Sequence, residues 1–171
     1  WNLYCPFINN NYINKILFFM NLIKYLINKK ISISVAESCT GGLVAALFTS
    51  KPGSSKIFKL GIVSYSNKSK VDILKVPKSI IRKYGAVSEQ CCKYMLIGIS
   101  KLSKTKISIS VTGIAGPKGG TIKKPVGTVF VGIKLNNNYK IFKFTFKNRG
   151  RKYIQKCTVK KISKIILNLI K

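Results

Sequence analysis

Strand-like and helix-like segments alternate along this chain, which restricts its fold to a few classes. The helix-like segments have apolar residues at three- and four-residue spacing, and the strand-like runs are short and rich in β-branched residues. Strands interleaved with helices predict a single-domain layered α/β sandwich with a mixed β-sheet flanked by helices. The predicted strands are residues 31–36, 60–66, 107–111, 126–135 and 139–147, and the predicted helices are residues 13–27, 43–50, 68–74, 77–84, 88–102 and 154–170.

The chain is short enough to form one domain. It has 171 residues, and we assign residues 1–30 to an N-terminal helix and extension and residues 31–171 to the α/β core. The most apolar stretch, residues 16–27, is shorter than the roughly 20 residues of a membrane-spanning helix, so we expect no membrane partner. Five cysteines without a C-x-x-C pair are typical of reduced thiols, and we expect a cytoplasmic protein.

A formal charge of +29 is spread over the whole chain. All but three of the 32 basic residues are lysines, whereas arginine is the residue suited to bidentate contacts with phosphates and bases. Lysine, asparagine and isoleucine dominate the sequence, and their A/T-rich codons favour compositional drift over selection for a polyanion. We therefore expect no specific nucleic-acid partner, although the charge itself predicts weak, salt-sensitive binding.

The absence of histidine removes several kinds of catalytic site. A Ser-His-Asp triad, a Cys-His pair and any histidine-bound metal are excluded. Only three acids are present, Glu37, Asp72 and Glu89, and they lie far apart in the sequence. Acid-base chemistry must therefore depend mainly on Lys, Tyr, Ser, Thr or Cys.

Two segments hold polar side chains where a predicted strand ends. The first, residues 37–42, leads from a strand into a helix, where free backbone N–H groups can bind a phosphate or an oxyanion. In the second, Tyr65 lies five positions before Lys70, which is a candidate base if burial lowers its pKa. Helix capping by Ser38 or Thr40 and a solvated Lys70 explain the same residues without catalysis, so these alternatives stay open.

A third segment, residues 113–120, is a glycine-rich loop after a predicted strand. Proteins of the α/β class commonly build ligand sites from loops at the carboxyl ends of strands. The loop matches neither a P-loop nor a dinucleotide-binding fingerprint, and a long turn without a ligand is the alternative.

Together these motifs resemble the CinA C-terminal domain family, the nicotinamide-nucleotide amidohydrolases. The matching blocks occur in the family's order and spacing across roughly residues 31–134. They are Ala36-Glu-Ser-Cys-Thr-Gly-Gly42, Pro52-Gly-Ser-Ser55, Gly61-Ile-Val-Ser-Tyr-Ser-Asn67 with Lys70, Gly85-Ala-Val-Ser-Glu89, Val111-Thr-Gly-Ile-Ala-Gly-Pro117 with Gly119-Gly120, and Lys124-Pro-Val-Gly-Thr128.

The resemblance implies hydrolysis of the carboxamide of nicotinamide mononucleotide to nicotinate mononucleotide and ammonia, a step of pyridine-nucleotide salvage, without a metal or organic cofactor. It implicates Ser38, Tyr65 and Lys70 in catalysis. We interpret Ser38 as the nucleophile, Lys70 as the base and Tyr65 as an orienting or relaying group. The residues expected to contact the substrate are Glu37, Thr40, Gly41, Gly42, Asn67, Thr112, Gly113, Gly116, Arg149 and Arg151.

The chain departs from the family pattern at two places. Lys123 stands where the family usually has an acid, and the usual Gly-Asp/Asn-Arg element is replaced by Asn148-Arg149-Gly150-Arg151. Either arginine could take the phosphate-binding role, so the register stays open. The length is that of the family's stand-alone form. The resemblance also makes a homo-oligomer an expectation, which the large positive charge opposes at low salt.

Two other functions fit parts of the sequence. A basic nucleic-acid-associated protein would show a localised basic face with arginine or stacked aromatics, whereas the lysines here are dispersed. A degenerate family member would fold without catalysing a reaction. The altered region around Arg149 favours that alternative, and the intact Ser38, Tyr65 and Lys70 count against it.

Overall fold

A computed structural model describes residues 21–170. Residues 13–20 of the predicted first helix, and the extension before them, lie outside the described residues, and the chain is helical over residues 21–28, here α1. The strands are β1 (Ile33–Glu37), β2 (Phe58–Val63), β3 (Ile107–Gly113), β4 (Thr128–Leu135) and β5 (Asn138–Thr145), and the other helices are α2 (Leu43–Thr49), α3 (Asn67–Asp72), α4 (Lys78–Tyr84), α5 (Glu89–Ser103) and α6 (Arg151–Ile170), with a 3₁₀ turn at Ser54–Lys56.

The strands form one mixed sheet in the order β2-β1-β3-β4-β5. β1 lies between β2 and β3 and is parallel to both, whereas β4 and β5 continue the sheet in antiparallel pairs. The short link from β4 to β5 falls in a run of three asparagines, residues 136–138, where Asn136 has a φ of 53°, a conformation that asparagine tolerates better than most residues. The mixed sheet with its flanking helices confirms the predicted fold class.

Different helices cover the two faces of the sheet. Side chains alternate along a strand, so Val35 and Ile109 lie on one face, where they pack with α1, α2 and α6. Ala36 lies on the opposite face and packs with Met95 and Ile99 of α5. The sheet is therefore the middle layer of three. In the part of the chain that the structure describes, no helix has the length and apolar character needed to cross a bilayer.

The three motif segments meet at one edge of the sheet. Because β1, β2 and β3 are parallel, their carboxyl ends lie side by side. Residues 38–42, 64–66 and 114–120 leave the sheet from these ends. This edge is the position at which open α/β sheets bind ligands, and it brings together residues that are far apart in the sequence.

β2 ends at Val63, before the predicted limit at residue 66. The backbone N–H of Ser64 still donates to the Glu37 carbonyl at 2.8 Å, which extends the pairing with β1 by one residue. The Ser66 hydroxyl then accepts from the Ser69 N–H at 3.0 Å and caps α3. This cap turns the chain at once into a helix, so that Lys70 comes back over the end of β1.

Candidate active site

Ser38 and Lys70 are in direct contact at the edge where β1 and β2 end. The Nζ of Lys70 lies 3.0 Å from the Oγ of Ser38. Ser38 is 9% exposed and Lys70 only 1% exposed. A serine hydroxyl beside a buried amine is an arrangement in which the amine can take the hydroxyl proton and activate the oxygen as a nucleophile.

Main-chain carbonyl groups hold the Lys70 amine in place. Its Nζ donates to the Ser64 carbonyl at 2.6 Å and to the Tyr65 carbonyl at 3.4 Å. A neutral amine has two N–H groups and one lone pair, so with both N–H groups on these carbonyls the lone pair faces Ser38 Oγ. After Lys70 takes up a proton, its three N–H groups can donate to the two carbonyl oxygens and to Ser38 Oγ.

Burial lowers the pKa of Lys70 below the ordinary value of a lysine. None of the three acids, all within the described residues, offsets this effect: Asp72 pairs with the exposed Lys68, and Glu89 is exposed at the start of α5. Lys70 therefore has a larger neutral fraction than a surface lysine.

The scarcity of acids also leaves residues 21–170 without a group of three His, Cys, Asp or Glu that could hold a metal ion.

The third acid, Glu37, caps helix α2 from the end of β1. It is fully buried, and its carboxylate accepts from the backbone N–H groups of Gly42, Val44 and Ala45 at 3.0, 3.1 and 2.7 Å. The first amides of α2, where the sequence suggests an anion site, thus bind a carboxylate of the chain itself. Glu37 stabilises the turn that presents Ser38 and makes no contact with the adjoining cleft.

Ser38 and Lys70 open into a cleft of about 300 Å³. Ser38, Lys70 and Thr112 contribute polar groups, and Lys118 and Arg151 contribute exposed cationic side chains. No acid lies among the described residues that line the cleft. Such a cleft suits a ligand with a flat apolar part and an anionic group. Its apolar wall is formed by Ala86, Val87, Ile114 and Ala115.

The structure brings most of the predicted site residues together in this cleft. Thr40, Gly41 and Gly42 form the turn before α2 and, like Glu37 and Arg149, are not among its lining residues. The predicted residues that do line the cleft are Ser38, Tyr65, Asn67, Lys70, Thr112, Gly113, Gly116 and Arg151.

Of the two arginines that the sequence leaves open, Arg151 reaches the cleft. Its Nη1 donates to the Tyr65 hydroxyl at 3.3 Å. Arg149 instead lies over the ring of Tyr153, with its guanidinium carbon 5.5 Å from the ring centroid. Tyr65 is 62% exposed, and this bond joins its hydroxyl to the first residue of α6. Arg151 is therefore the arginine positioned to meet an anionic ligand.

Several lining residues were not predicted as site residues. Ala86 and Val87 belong to one of the recognised sequence blocks, and Ile114, Ala115, Lys118 and Gly119 belong to the glycine-rich loop, but apolar side chains and a common lysine give no chemical signal on their own. Cys39 also lines the cleft, and burial raises the pKa of its thiol to about 12. A thiol that stays protonated is a weak nucleophile, so Cys39 does not compete with Ser38 for that role.

The sequence profile of the CinA C-terminal domain matches residues 19–170. A Clostridium beijerinckii protein named as competence-damage inducible is 45% identical over 148 residues, which are 86% of this chain and 36% of that protein. A CinA-like protein of Fusobacterium nucleatum is 52% identical over 128 residues, which are 75% of this chain and 31% of that protein. The chain thus spans about a third of the length of these relatives.

Solved structures show the same fold. The crystal structure of the competence/damage inducible protein CihA from Agrobacterium tumefaciens aligns with a TM-score of 0.86 at 35% identity and covers 91% of this chain and 94% of that one. The competence damage-inducible protein A from Klebsiella pneumoniae aligns with a TM-score of 0.82 at 27% identity and covers 88% and 92% of the two chains.

Replacing the capping carboxylate tests the role of Glu37. Glu37→Ala leaves three backbone N–H groups at the start of α2 without an acceptor, and we expect the free energy of unfolding to fall by about 3 to 5 kcal/mol. Urea denaturation followed by circular dichroism measures the change. Glu89→Ala, which removes an exposed acid from the first turn of α5, is the matched control and should cost less than about 1 kcal/mol. Equal losses in the two variants would contradict the capping role.

Proposed function

Because the chain belongs to the CinA C-terminal domain family, we propose that it is an amidohydrolase in which Ser38 is the nucleophile and Lys70 the general base. The observation that carries this proposal is the 3.0 Å contact between Lys70 Nζ and Ser38 Oγ. With Lys70 only 1% exposed and held by two carbonyl groups, its neutral form has the lone pair directed at the serine. No histidine is needed for such a pair.

The proposed substrate is nicotinamide mononucleotide, and the products are nicotinate mononucleotide and ammonia. The family resemblance suggests this amide, and the composition of the cleft supports it. The pyridine ring fits the apolar wall that includes Val87 and Ile114, and the carboxamide then lies at Ser38. The phosphate is paired with Arg151 and Lys118, the exposed cationic side chains of the cleft.

In the first half of the reaction, Ser38 Oγ attacks the carboxamide carbon while its proton passes to Lys70 Nζ. The carbonyl oxygen becomes an oxyanion in the tetrahedral intermediate. When this intermediate collapses, the C–N bond breaks and Lys70 returns the proton to the leaving nitrogen, which departs as ammonia. The product of this half is a nicotinoyl ester on Ser38.

In the second half, water attacks the carbon of the ester and Lys70 takes one of its protons. Collapse of the second tetrahedral intermediate breaks the bond to Ser38 Oγ, which regains the proton from Lys70. The released carboxylate is nicotinate mononucleotide, and the enzyme returns to its starting state. Tyr65 contributes a carbonyl that orients Lys70 and a hydroxyl that accepts from Arg151, so it links the base to the proposed phosphate site.

Ammonia release from nicotinamide mononucleotide tests the pair directly. We expect Ser38→Ala and Lys70→Met each to lower kcat by about a thousandfold or more, because each removes a group that reacts. Lys59→Met, which removes an exposed lysine of β2, is the matched control and should keep the activity of the unmodified protein. Full turnover by Lys70→Met would contradict the proposed base, and a folded but inactive unmodified protein would contradict the proposed substrate.

The lowered pKa of Lys70 predicts the pH dependence of the reaction. Lys70 must be neutral to accept the serine proton, so kcat/KM should rise with pH by about tenfold per unit below the pKa of Lys70 and level off above it. The midpoint should lie below the ordinary pKa of a lysine. Initial rates in buffers of constant ionic strength measure the profile, and a rate independent of pH through the neutral and mildly alkaline range would contradict this assignment.

Substitution of Arg151 and of Arg149 tests which of the two binds the phosphate. Arg151→Gln should raise the KM for nicotinamide mononucleotide by about tenfold or more, because it removes a charge-assisted bond to the phosphate. Arg149→Gln, the matched control, should leave the KM within about twofold, because Arg149 lies on Tyr153 away from the cleft. Nicotinamide riboside, which lacks the phosphate, should be hydrolysed equally by both variants. A larger effect at Arg149 would reverse the assignment.

A further inference from the structure

The side chains of Lys124 and Thr112 hold part of the apolar wall of the cleft in place. Ala86 and Val87 belong to residues 84–88, which are the last residue of α4 and the loop that leads to α5. The Nζ of Lys124 donates to the carbonyls of Tyr84 and Val87 at 2.8 and 2.7 Å. The Ala86 carbonyl between them accepts from the Thr112 hydroxyl at 2.8 Å. Three carbonyls of a short loop are thus fixed by two side chains.

Lys124 differs from the solvated lysines that dominate this chain. Its side chain is half-buried, and its ammonium lies between two main-chain carbonyl groups. Gly85, with a φ of 81°, allows the loop to turn around the ammonium, which lies 3.8 Å from where a Cβ of Gly85 would be. The loop conformation and the lysine therefore fit each other.

The backbone of Lys124 is attached to the glycine-rich loop. Its backbone N–H donates to the Thr121 hydroxyl at 3.0 Å, and its carbonyl accepts from the Thr121 N–H at 2.9 Å, which closes a tight turn. Two residues further on, Val126 packs where a Cβ of Gly116 or Gly120 would otherwise stand. The segment that contains Lys124 thus supports the glycine-rich loop, and its side chain ties that loop to residues 84–88.

We propose that Lys124 is a positioning residue that fixes Ala86 and Val87 in the apolar wall of the cleft, and through this wall sets the affinity for the ring of the substrate. The inference rests on the proposed function, since it takes the pyridine ring as the group that packs on this wall. Lys124 lies outside the cleft lining and contacts neither Ser38 nor Lys70. Its loss should weaken substrate binding and leave the chemical step intact.

The loop has a second attachment that makes this separation testable. Ser88 donates to the Gly85 carbonyl at 2.8 Å and accepts from the Cys91 N–H at 3.1 Å, which caps α5 without help from Lys124. Removing Lys124 should therefore release the wall of the cleft and preserve α5 and the core.

The test compares Lys124→Met with Lys123→Met, which removes the exposed neighbouring lysine. Two readouts are needed: amide hydrogen exchange of residues 84–88, and the separate kcat and KM for nicotinamide mononucleotide. We expect Lys124→Met to exchange faster in that loop alone and to raise KM by about tenfold or more with kcat within about threefold. Lys124→Arg, which can donate to both carbonyls, should restore most of the affinity, and Lys123→Met should match the unmodified protein.

Two results would overturn the inference. Unchanged hydrogen exchange in residues 84–88 of Lys124→Met would show that Lys124 does not hold the loop, and this readout needs no substrate. Faster exchange in Lys124→Met with an unchanged KM, or with a decrease in kcat alone, would show that the position of residues 84–88 does not control substrate binding. Failure of the unmodified protein to hydrolyse nicotinamide mononucleotide would count against the proposed function and leave the exchange comparison as the test of the contact itself.

Discussion

The site depends on the burial of the Lys70 amine against main-chain carbonyl groups. A buried amine is tolerated only where its N–H groups find acceptors, and the carbonyls of Ser64 and Tyr65 supply them. These carbonyls are available because β2 stops at Val63 and the capped start of α3 follows immediately. The parallel pairing of β1 with β2 then places Ser38 beside the amine. The strand ends, the helix cap and the Ser38–Lys70 contact are parts of one local arrangement.

In a chain with 32 basic and three acidic residues, most lysines of the described residues are exposed. Lys70 is buried and Lys124 is half-buried, and each of them donates to two main-chain carbonyl groups. Main-chain oxygens thus accept the hydrogen bonds that lysines commonly donate to carboxylates. The buried carboxylate of Glu37 also binds the main chain, since it accepts hydrogen bonds from three backbone N–H groups at the start of α2. A carbonyl restrains a lysine without the full charge of a carboxylate, which would raise its pKa and oppose its use as a base.

Periodicity predicts the fold class and the order of the elements, because the longer segments, such as α5 and α6, have the apolar pattern of the structure that they form. Contacts between distant residues were beyond such reasoning. The sequence pattern does not show that Glu37 accepts from the amides of Gly42, Val44 and Ala45, or that Lys124 donates to carbonyls some 40 positions earlier. The choice between Arg149 and Arg151 depends on where α6 begins, and that start, at Arg151, directs only one of the two at Tyr65.

Covalent labelling with a fluorophosphonate tests the Ser38–Lys70 pair most directly, because it needs no assumption about the natural substrate. An activated serine displaces fluoride from the phosphorus, and mass spectrometry of the digested protein identifies the labelled residue. We expect a single label on Ser38, formed faster as the pH rises, and no label in folded Lys70→Met. Labelling of Ser38 at the same rate without Lys70, or labelling of Cys39 in its place, would contradict it.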